Sequence, residues 1–567
     1  MAAGTITEEE LERGLELQKE THQRLGATLI ANKIITEAEL IESLQMQLGI
    51  EYVDLTKVNI PTELAQVVPK NLARQYSVVP VRVDKDMLYL AMSDPTNFYA
   101  IEDVRKAVRK KVIPVIATEA SIGHAIAVLY GNEGAAKAIE EMKRDASISE
   151  TDQLKDNAFV SNRLDDDAVR NAPTIRLVNA IIERAVNEKA SDIHLEPREE
   201  SMVCRMRIDG MMRNILTVPR NLQGSVISRV KVMSGMDIAE RRIPQDGRFN
   251  VKIKDKDIDL RVSTLPTVYG EKIVARLLDK SEGILSKEAI GLSGDDLKKY
   301  DRIIKCSNGV ILIVGPTGSG KSSTMYTIIG ELNKEEVNLV TLEDPVEYNI
   351  DGVNQVQINE KVGMSFASGL RSILRQDPDI IAVGEIRDGE TAEIAMRAAV
   401  TGHVVLSTIH TNDAVGTIDR LIDIGVEPYM AATALRGIIS QRLVRRICPH
   451  CKKEYEPTEE ELEELGISPK DSSVEENSTK DKRMKFYRGE GCPHCFNTGY
   501  RGRIAVFEIM QVTQEVRKAV IKRADRSEIE KILHGSGFVS LRENGIRLVK
   551  EGITTASEIV RVINEDF

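Results

Sequence analysis

Residues 315–322 read Gly-Pro-Thr-Gly-Ser-Gly-Lys-Ser, directly behind the apolar run 310–314. A G-x-x-x-x-G-K-[ST] segment in that position constrains the chain more than any other feature. It calls for a buried strand, a loop whose amides face inward, and a helix. The glycines let backbone N–H groups curl around phosphate. Lys321 is expected on the β- and γ-phosphates of ATP, and the Ser322 hydroxyl on Mg²⁺. The expected nucleotide-binding residues are Gly315, Pro316, Thr317, Gly318, Ser319, Gly320, Lys321, Ser322 and Ser323.

The surroundings agree with such a core. Runs 310–314, 339–342, 380–383 and 404–409 are short, β-branched and nearly free of charge. Runs of this kind fit parallel strands covered on both faces. The run 380–383 ends in Gly384-Glu385, which places a carboxylate where a second Mg²⁺ or water-positioning group belongs. The run 339–342 leads into Glu343-Asp344-Pro-Val-Glu347, three carboxylates in five residues. Glu343 is the first choice for the general base, with Glu347 and Asp344 supporting. His403 and His410 bracket the last run. His410, followed by Thr411-Asn412-Asp413, is expected to sense the γ-phosphate, while His403 is as readily structural.

Upstream, Ile6-Thr7-Glu8-Glu9-Glu10-Leu11 returns 29 residues later as Ile35-Thr36-Glu37-Ala38-Glu39-Leu40. Thr7 with Glu10, and Thr36 with Glu39, read as capping boxes, so residues 1–50 encode a helical pair. Residues 51–131 read as a small α+β unit: strands at 79–83 and 87–91 around the polar turn 84–86, a helix at 101–109 and a strand at 112–116. Residues 132–172 are polar and read as a linker with a helix near 135–143. Periodicity resumes at Thr174 with an amphipathic helix, then strands at 202–207, 249–253, 257–262 and 272–278, a domain of residues 173–288. Residues 289–567 form the P-loop domain, with an insertion at 446–500 and C-terminal helices at 501–567.

That insertion holds Cys448-Pro-His-Cys451 and Cys492-Pro-His-Cys495. Two C-x-x-C knuckles predict a closed Cys₄ zinc site of structural kind. His450 and His494 are spare, and Cys204 and Cys306 read as small core residues.

Composition narrows the function classes. A length of 567 suggests three or four domains at roughly 150 residues each. There is no Trp and only 4% aromatic residues, so platforms for stacking single-stranded bases are scarce. The 77 basic and 88 acidic residues leave −11, a poor match to a phosphate backbone. Both facts oppose a RecA-like motor on nucleic acid. A regulatory nucleotide-binding module without turnover is the other alternative. No apolar run approaches the ~20 residues of a membrane span, and MAAGTITEEE is no signal peptide. The chain is therefore expected in the cytoplasm.

The P-loop, the acidic box 343–347, the Gly384-Glu385 strand and the His403–His410 box occur in the order found in secretion-superfamily hexameric ATPases. Ala172-Pro-Thr-Ile-Arg-Leu-Val-Asn179 and Ser191-Asp-Ile-His-Leu-Glu-Pro197 resemble the start of that family's preceding domain. The resemblance covers nearly the whole chain. It is strongest to the type IV pilus assembly (extension) ATPases, PilB-type, and next to the type II secretion ATPases, GspE-type. It implies an α/β multidomain fold: a RecA-like P-loop core preceded by an α+β, PAS-like domain and an N-terminal helical and α+β region. It further implies a homo-hexamer at the inner face of the cytoplasmic membrane, working on an inner-membrane platform protein to polymerise pilin. Type II secretion is the alternative. A docking protein would meet the N-terminal region. Arginines of the preceding domain would reach a nucleotide; Arg261 and Arg276 are the first candidates, then Arg241, Arg242 and Arg248. Arg24-Leu25-Gly26, followed by Ile35, Leu40, Leu44 and Gln47, resembles a cyclic-di-GMP motif. The Arg-Leu-Gly of the first copy would lie before Met1, so half of that site is absent from the sequence.

Overall fold

The computed structural model describes residues 49–131, 173–467 and 484–563, apart from isolated positions, with six scattered positions before residue 49. The N-terminal repeat, Arg24-Leu25-Gly26 and the 132–172 stretch with its expected helix lie outside the described residues, the scattered positions apart.

The first described unit is built on β1 (Val78–Asp84), β2 (Met87–Met92) and β3 (Lys111–Ile116). β1 and β2 form the expected antiparallel hairpin, and β3 returns parallel to β2 after the helix Phe98–Val108. Asn97 caps that helix by accepting the Ala100 N–H at 3.2 Å, which leaves Ala100 and Val104 to face the sheet. Leu88, Leu90 and Ile122 complete a dry core.

The middle unit opens with the helix Pro173–Asn187, whose Leu177, Val178, Ile181, Ile182 and Ala185 are all buried. Six strands follow: β4 (Asp192–Pro197), β5 (Ser201–Ile208), β6 (Met211–Pro219), β7 (Gln245–Ile253), β8 (Lys256–Thr267) and β9 (Gly270–Asp279). Their order is β6-β5-β4-β9-β8-β7, with the helix Arg220–Met233 between β6 and β7. β4, β6 and this helix are elements that the sequence patterns did not announce.

The P-loop unit carries a seven-stranded sheet in the order β12-β11-β13-β14-β10-β15-β18. Its strands are β10 (Gly309–Val314), β11 (Leu339–Glu343), β12 (Asn354–Gln357), β13 (Ile380–Val383), β14 (Val404–Ile409), β15 (Leu435–Ile447) and β18 (Tyr500–Gln511). β16 (Lys452–Tyr455) and β17 (Phe486–Gly489) pair as a separate antiparallel ribbon. β10 through β15 run parallel, and β18 lies antiparallel on β15. Alternate residues of β10 enter opposite cores. Val310, Leu312 and Val314 pack with the helices Gly389–Val400 and Ala414–Asp423, and Ile311 and Ile313 with Gly294–Ile304 and Lys321–Leu332. Both faces are covered, which is why these strands read as unbroken apolar runs.

The expectation of helix from residue 501 onward is corrected at its start. Residues 501–511 belong to β18, where 505–510 are fully buried and pair along β15. Four helices then follow: Gln514–Ile521, Arg526–Gly535, Leu541–Lys550 and Ala556–Ile563. Thr555 accepts the Glu558 N–H at 3.2 Å as a cap does, but the Glu558 carboxylate turns to Arg445 and Arg561 instead of closing a capping box.

Candidate nucleotide site and cysteine cluster

The loop after β10 is shaped by glycines that no other residue replaces. At Gly315, φ is 149° and an added Cβ would lie 2.5 Å from Ser319 Oγ and 2.6 Å from the Gln441 carbonyl. Gly320, at φ 92°, starts the helix Lys321–Leu332. Lys321 is 9% exposed and its ammonium donates to the carbonyls of Gly315 at 2.7 Å and Pro316 at 3.1 Å. Burial pushes it down to about 8. A buried cation inside a ring of backbone fits an anionic phosphate chain.

Glu385 and His410 leave adjacent parallel strands at the end where β10 enters the P-loop. The Ile386 N–H donates to the Thr408 carbonyl at 2.9 Å and keeps the two strand ends in step. His410 Nε2 lies 3.4 Å from Glu385 Oε2, and Arg387 pairs with the other carboxylate oxygen. Glu385 also draws on Lys321, opposing the effect of burial on that ammonium. Ser322 and Ser323 are exposed at the first turn of the P-loop helix. Oxygen donors from Ser322 and Glu385 suit Mg²⁺. His403 sits at the opposite end of β14, where Nδ1 lies 2.9 Å from the Ala398 carbonyl at the end of a helix.

Glu343 ends β11 and is 3% exposed. Its carboxylate accepts from the Tyr326 hydroxyl, the Thr341 hydroxyl and Gln355 Nε2, the last at 3.1 Å. Asp344 is exposed and Glu347 half-buried on the loop that follows. Sequence reading missed Tyr326 and Gln355: the first lies on the P-loop helix beyond the last residue of the motif, the second on an edge strand.

In the middle unit, Arg276 on β9 is exposed, and its Nε lies 3.0 Å from Asp192 Oδ1 on β4. Arg207 on β5 approaches the other oxygen at 3.6 Å. Arg261 stands half-buried on β8. Arg241, Arg242 and Arg248 are exposed, and Arg242 pairs with Glu240 at 2.7 Å.

The thiols of Cys448, Cys451, Cys492 and Cys495 all lie within 4.8 Å of one another. Zn–S bonds near 2.3 Å set the sulfurs of a tetrahedral site about 3.8 Å apart. The Cys492 and Cys495 sulfurs are 3.7 Å apart, so the cluster fits zinc. Cys204 is buried in the middle unit, as expected, and burial pushes its thiol up to about 12. Cys306 is half-buried.

Among the described residues no helix is long and apolar enough to cross a membrane. Residues 167–561 match the model of the type II/IV secretion system protein family, and residues 48–136 match the MshEN domain. The chain is 40% identical to the type IV pilus assembly ATPase PilB of Myxococcus xanthus, over 98% of this chain and 96% of that one. It is also 40% identical to the type II secretion system protein E of Pseudomonas aeruginosa, over 85% and 93%. The solved ATPase DotB of Yersinia pseudotuberculosis covers 72% of this chain and 96% of its own at 20% identity and a TM-score of 0.50, a likeness of fold. That fold is the RecA-like P-loop core expected from the sequence. The chain belongs to the type II/IV secretion system protein family, a family of secretion-system ATPases.

Proposed function

We propose that this chain is the hexameric, Mg²⁺-dependent ATPase motor of type IV pilus assembly. One observation carries the catalytic reading: Glu385 and His410 meet at 3.4 Å at the end of the sheet from which the P-loop springs. Lys321 and the loop amides hold the phosphates. Ser322 and Glu385 would hold Mg²⁺, whose role is to neutralise phosphate charge. His410 reports the γ-phosphate. Both Glu343 oxygens are engaged by donors, which favours Glu347 over Glu343 as the group that takes a proton from water. Arg261 and Arg276 supply positive charge from the domain of residues 173–288. Nucleotide turnover would move that domain against the core of residues 289–567, and the ring would act on an inner-membrane platform protein that adds pilin. The Cys₄ cluster holds Zn²⁺ as a structural staple.

The pilus reading is supported by the Myxococcus relative, which matches end to end. The Pseudomonas relative, equally identical, supports type II secretion as the second reading. Deletion in the native host separates them: the first predicts loss of surface pili with exoprotein export intact, and the second the reverse. The N-terminal region, residues 1–131, is read as the docking and regulatory part. Cyclic-di-GMP is its candidate ligand through Arg24-Leu25-Gly26, and calorimetry that shows no heat on the full chain removes that role.

A further inference from the structure

We propose that Tyr326, together with Gln355, is a positioning residue for hydrolysis: both use buried Glu343 as an anchor and so tie the acidic loop to the helix that carries Lys321. The proposal rests on the reading of Glu347 as the base.

Tyr326 stands five residues beyond Lys321 on the same helix, about 7.5 Å along its axis. Its hydroxyl donates to Glu343 Oε2. The Tyr326 hydroxyl oxygen in turn accepts the N–H of Glu347 at 3.1 Å and that of Tyr348 at 3.4 Å. Gln355 repeats the arrangement from β12. Its Nε2 donates to Glu343 Oε1 at 3.1 Å and to the Tyr348 carbonyl at 2.9 Å, and its Oε1 accepts the Ile350 N–H at 2.7 Å. The loop 344–350 thus hangs by its backbone from two side chains, and both end on one carboxylate. The Tyr348 ring packs edge-on against Tyr326 with centroids 5.5 Å apart.

The chemistry of Glu343 follows from this arrangement. Three donors satisfy a buried carboxylate and turn it away from water. Burial, and then the bond to Glu343, push the Tyr326 phenol well above its ordinary value, so it remains a donor. A fixed donor whose lone pairs hold the Glu347 N–H sets where that backbone stands relative to the P-loop helix. Misplacing a reacting group by about 1 Å is enough to cost on the order of 100-fold in rate. The loop that bears Glu347 therefore follows any shift of the helix that grips the phosphates.

The test uses the full-length hexamer and Mg-ATP. Tyr326→Phe removes one hydroxyl and keeps the ring. The expected result is a kcat lower by about 10- to 100-fold, with KM and the affinity for a fluorescent ADP analogue within about twofold. In a Glu347→Gln background, single-turnover hydrolysis should be unchanged by adding Tyr326→Phe, because both changes disable one element. A further tenfold loss in that background would overturn the proposal while leaving the base reading standing. Full activity of Glu347→Gln alone would overturn the base reading, and the proposal with it. An unchanged kcat for Tyr326→Phe would also overturn it. A parallel fall of kcat and nucleotide affinity would mark a merely structural role and overturn it too. Should Tyr326→Phe fail to assemble, Gln355→Met poses the same question from the other end of the loop.

Discussion

His410 Nε2 and Glu385 Oε2 stand 3.4 Å apart across the ends of two neighbouring parallel strands, beside the P-loop. Glu385 is largely shielded, and His410 is half open to solvent. An exposed imidazole paired with a shielded carboxylate can leave it and donate to a γ-phosphate instead. His410→Ala should lower kcat by about 10- to 100-fold, as loss of one polar group at developing charge does. KM for ATP should stay within about twofold. Steady-state phosphate release measures both, and a fall in affinity with unchanged kcat would assign His410 to binding alone.

Asp192 holds Arg276 by Nε at 3.0 Å, which orients the guanidinium from its inner edge. Arg276 is 65% exposed and Asp192 is buried, so the acid is fixed and the base projects. If Arg276 meets phosphate in the assembled ring, Arg276→Ala should cut hydrolysis by about 10³-fold with nucleotide binding retained. Arg276→Lys should not restore it, because an ammonium lacks the planar fork. An ion pair of purely structural purpose predicts otherwise: turnover unchanged and a lower Tm.

The parts of this site that could be read in the sequence are local in sequence. The P-loop, Glu385, His410 and the cysteine pairs announce themselves by residue type at short fixed spacing or at the end of an apolar run. What could not be read depends on neighbours far away in the chain. β15 was hidden by Arg436, Arg442 and Arg445, which break its apolar pattern. In the fold those arginines donate to the Thr433 carbonyl, the Asn412 carbonyl and Glu558. Charge in a buried strand is tolerated once every cation has a partner, and the partners cannot be inferred from the strand itself. β18 was lost for a related reason, since Glu508 sits within its buried run. Its carboxylate accepts the backbone N–H groups of Ala414 and Leu541. Tyr326 and Gln355 had no local signal at all, because their meaning lies in Glu343.

Burial holds the Lys321 ammonium down to about 8, with Glu385 opposing and Arg442 adding to the shift. A bound triphosphate favours the charged form and raises that value. Binding then takes up a proton at any pH between the free and the bound values. Affinity for a non-hydrolysable ATP analogue should be level below about pH 7.5 and fall as pH rises further, approaching tenfold per unit. Calorimetry at pH 8.5 in two buffers of different ionisation enthalpy should show an uptake of about 0.8 proton per site. Zero uptake would mean that Lys321 is already fully charged before binding.

Gln441 in the middle of β15 donates from Nε2 to the Ser319 carbonyl of the P-loop at 2.8 Å, and β15 ends at Ile447, next to Cys448. The cysteine cluster therefore anchors one end of a strand whose centre braces the phosphate loop. Elemental analysis should find one zinc per chain. Cys448→Ser combined with Cys451→Ser should abolish it and lower Tm by about 10 °C or more, the scale expected when a closed metal site is lost. Hydrolysis should fall with it, since the brace at Ser319 loosens. Cys306→Ser, outside the cluster, should leave metal content and turnover unchanged. Thiol titration decides between zinc and oxidation: six thiols after denaturation with chelator support the metal site, whereas two thiols and no zinc would show the pairs to be disulfides.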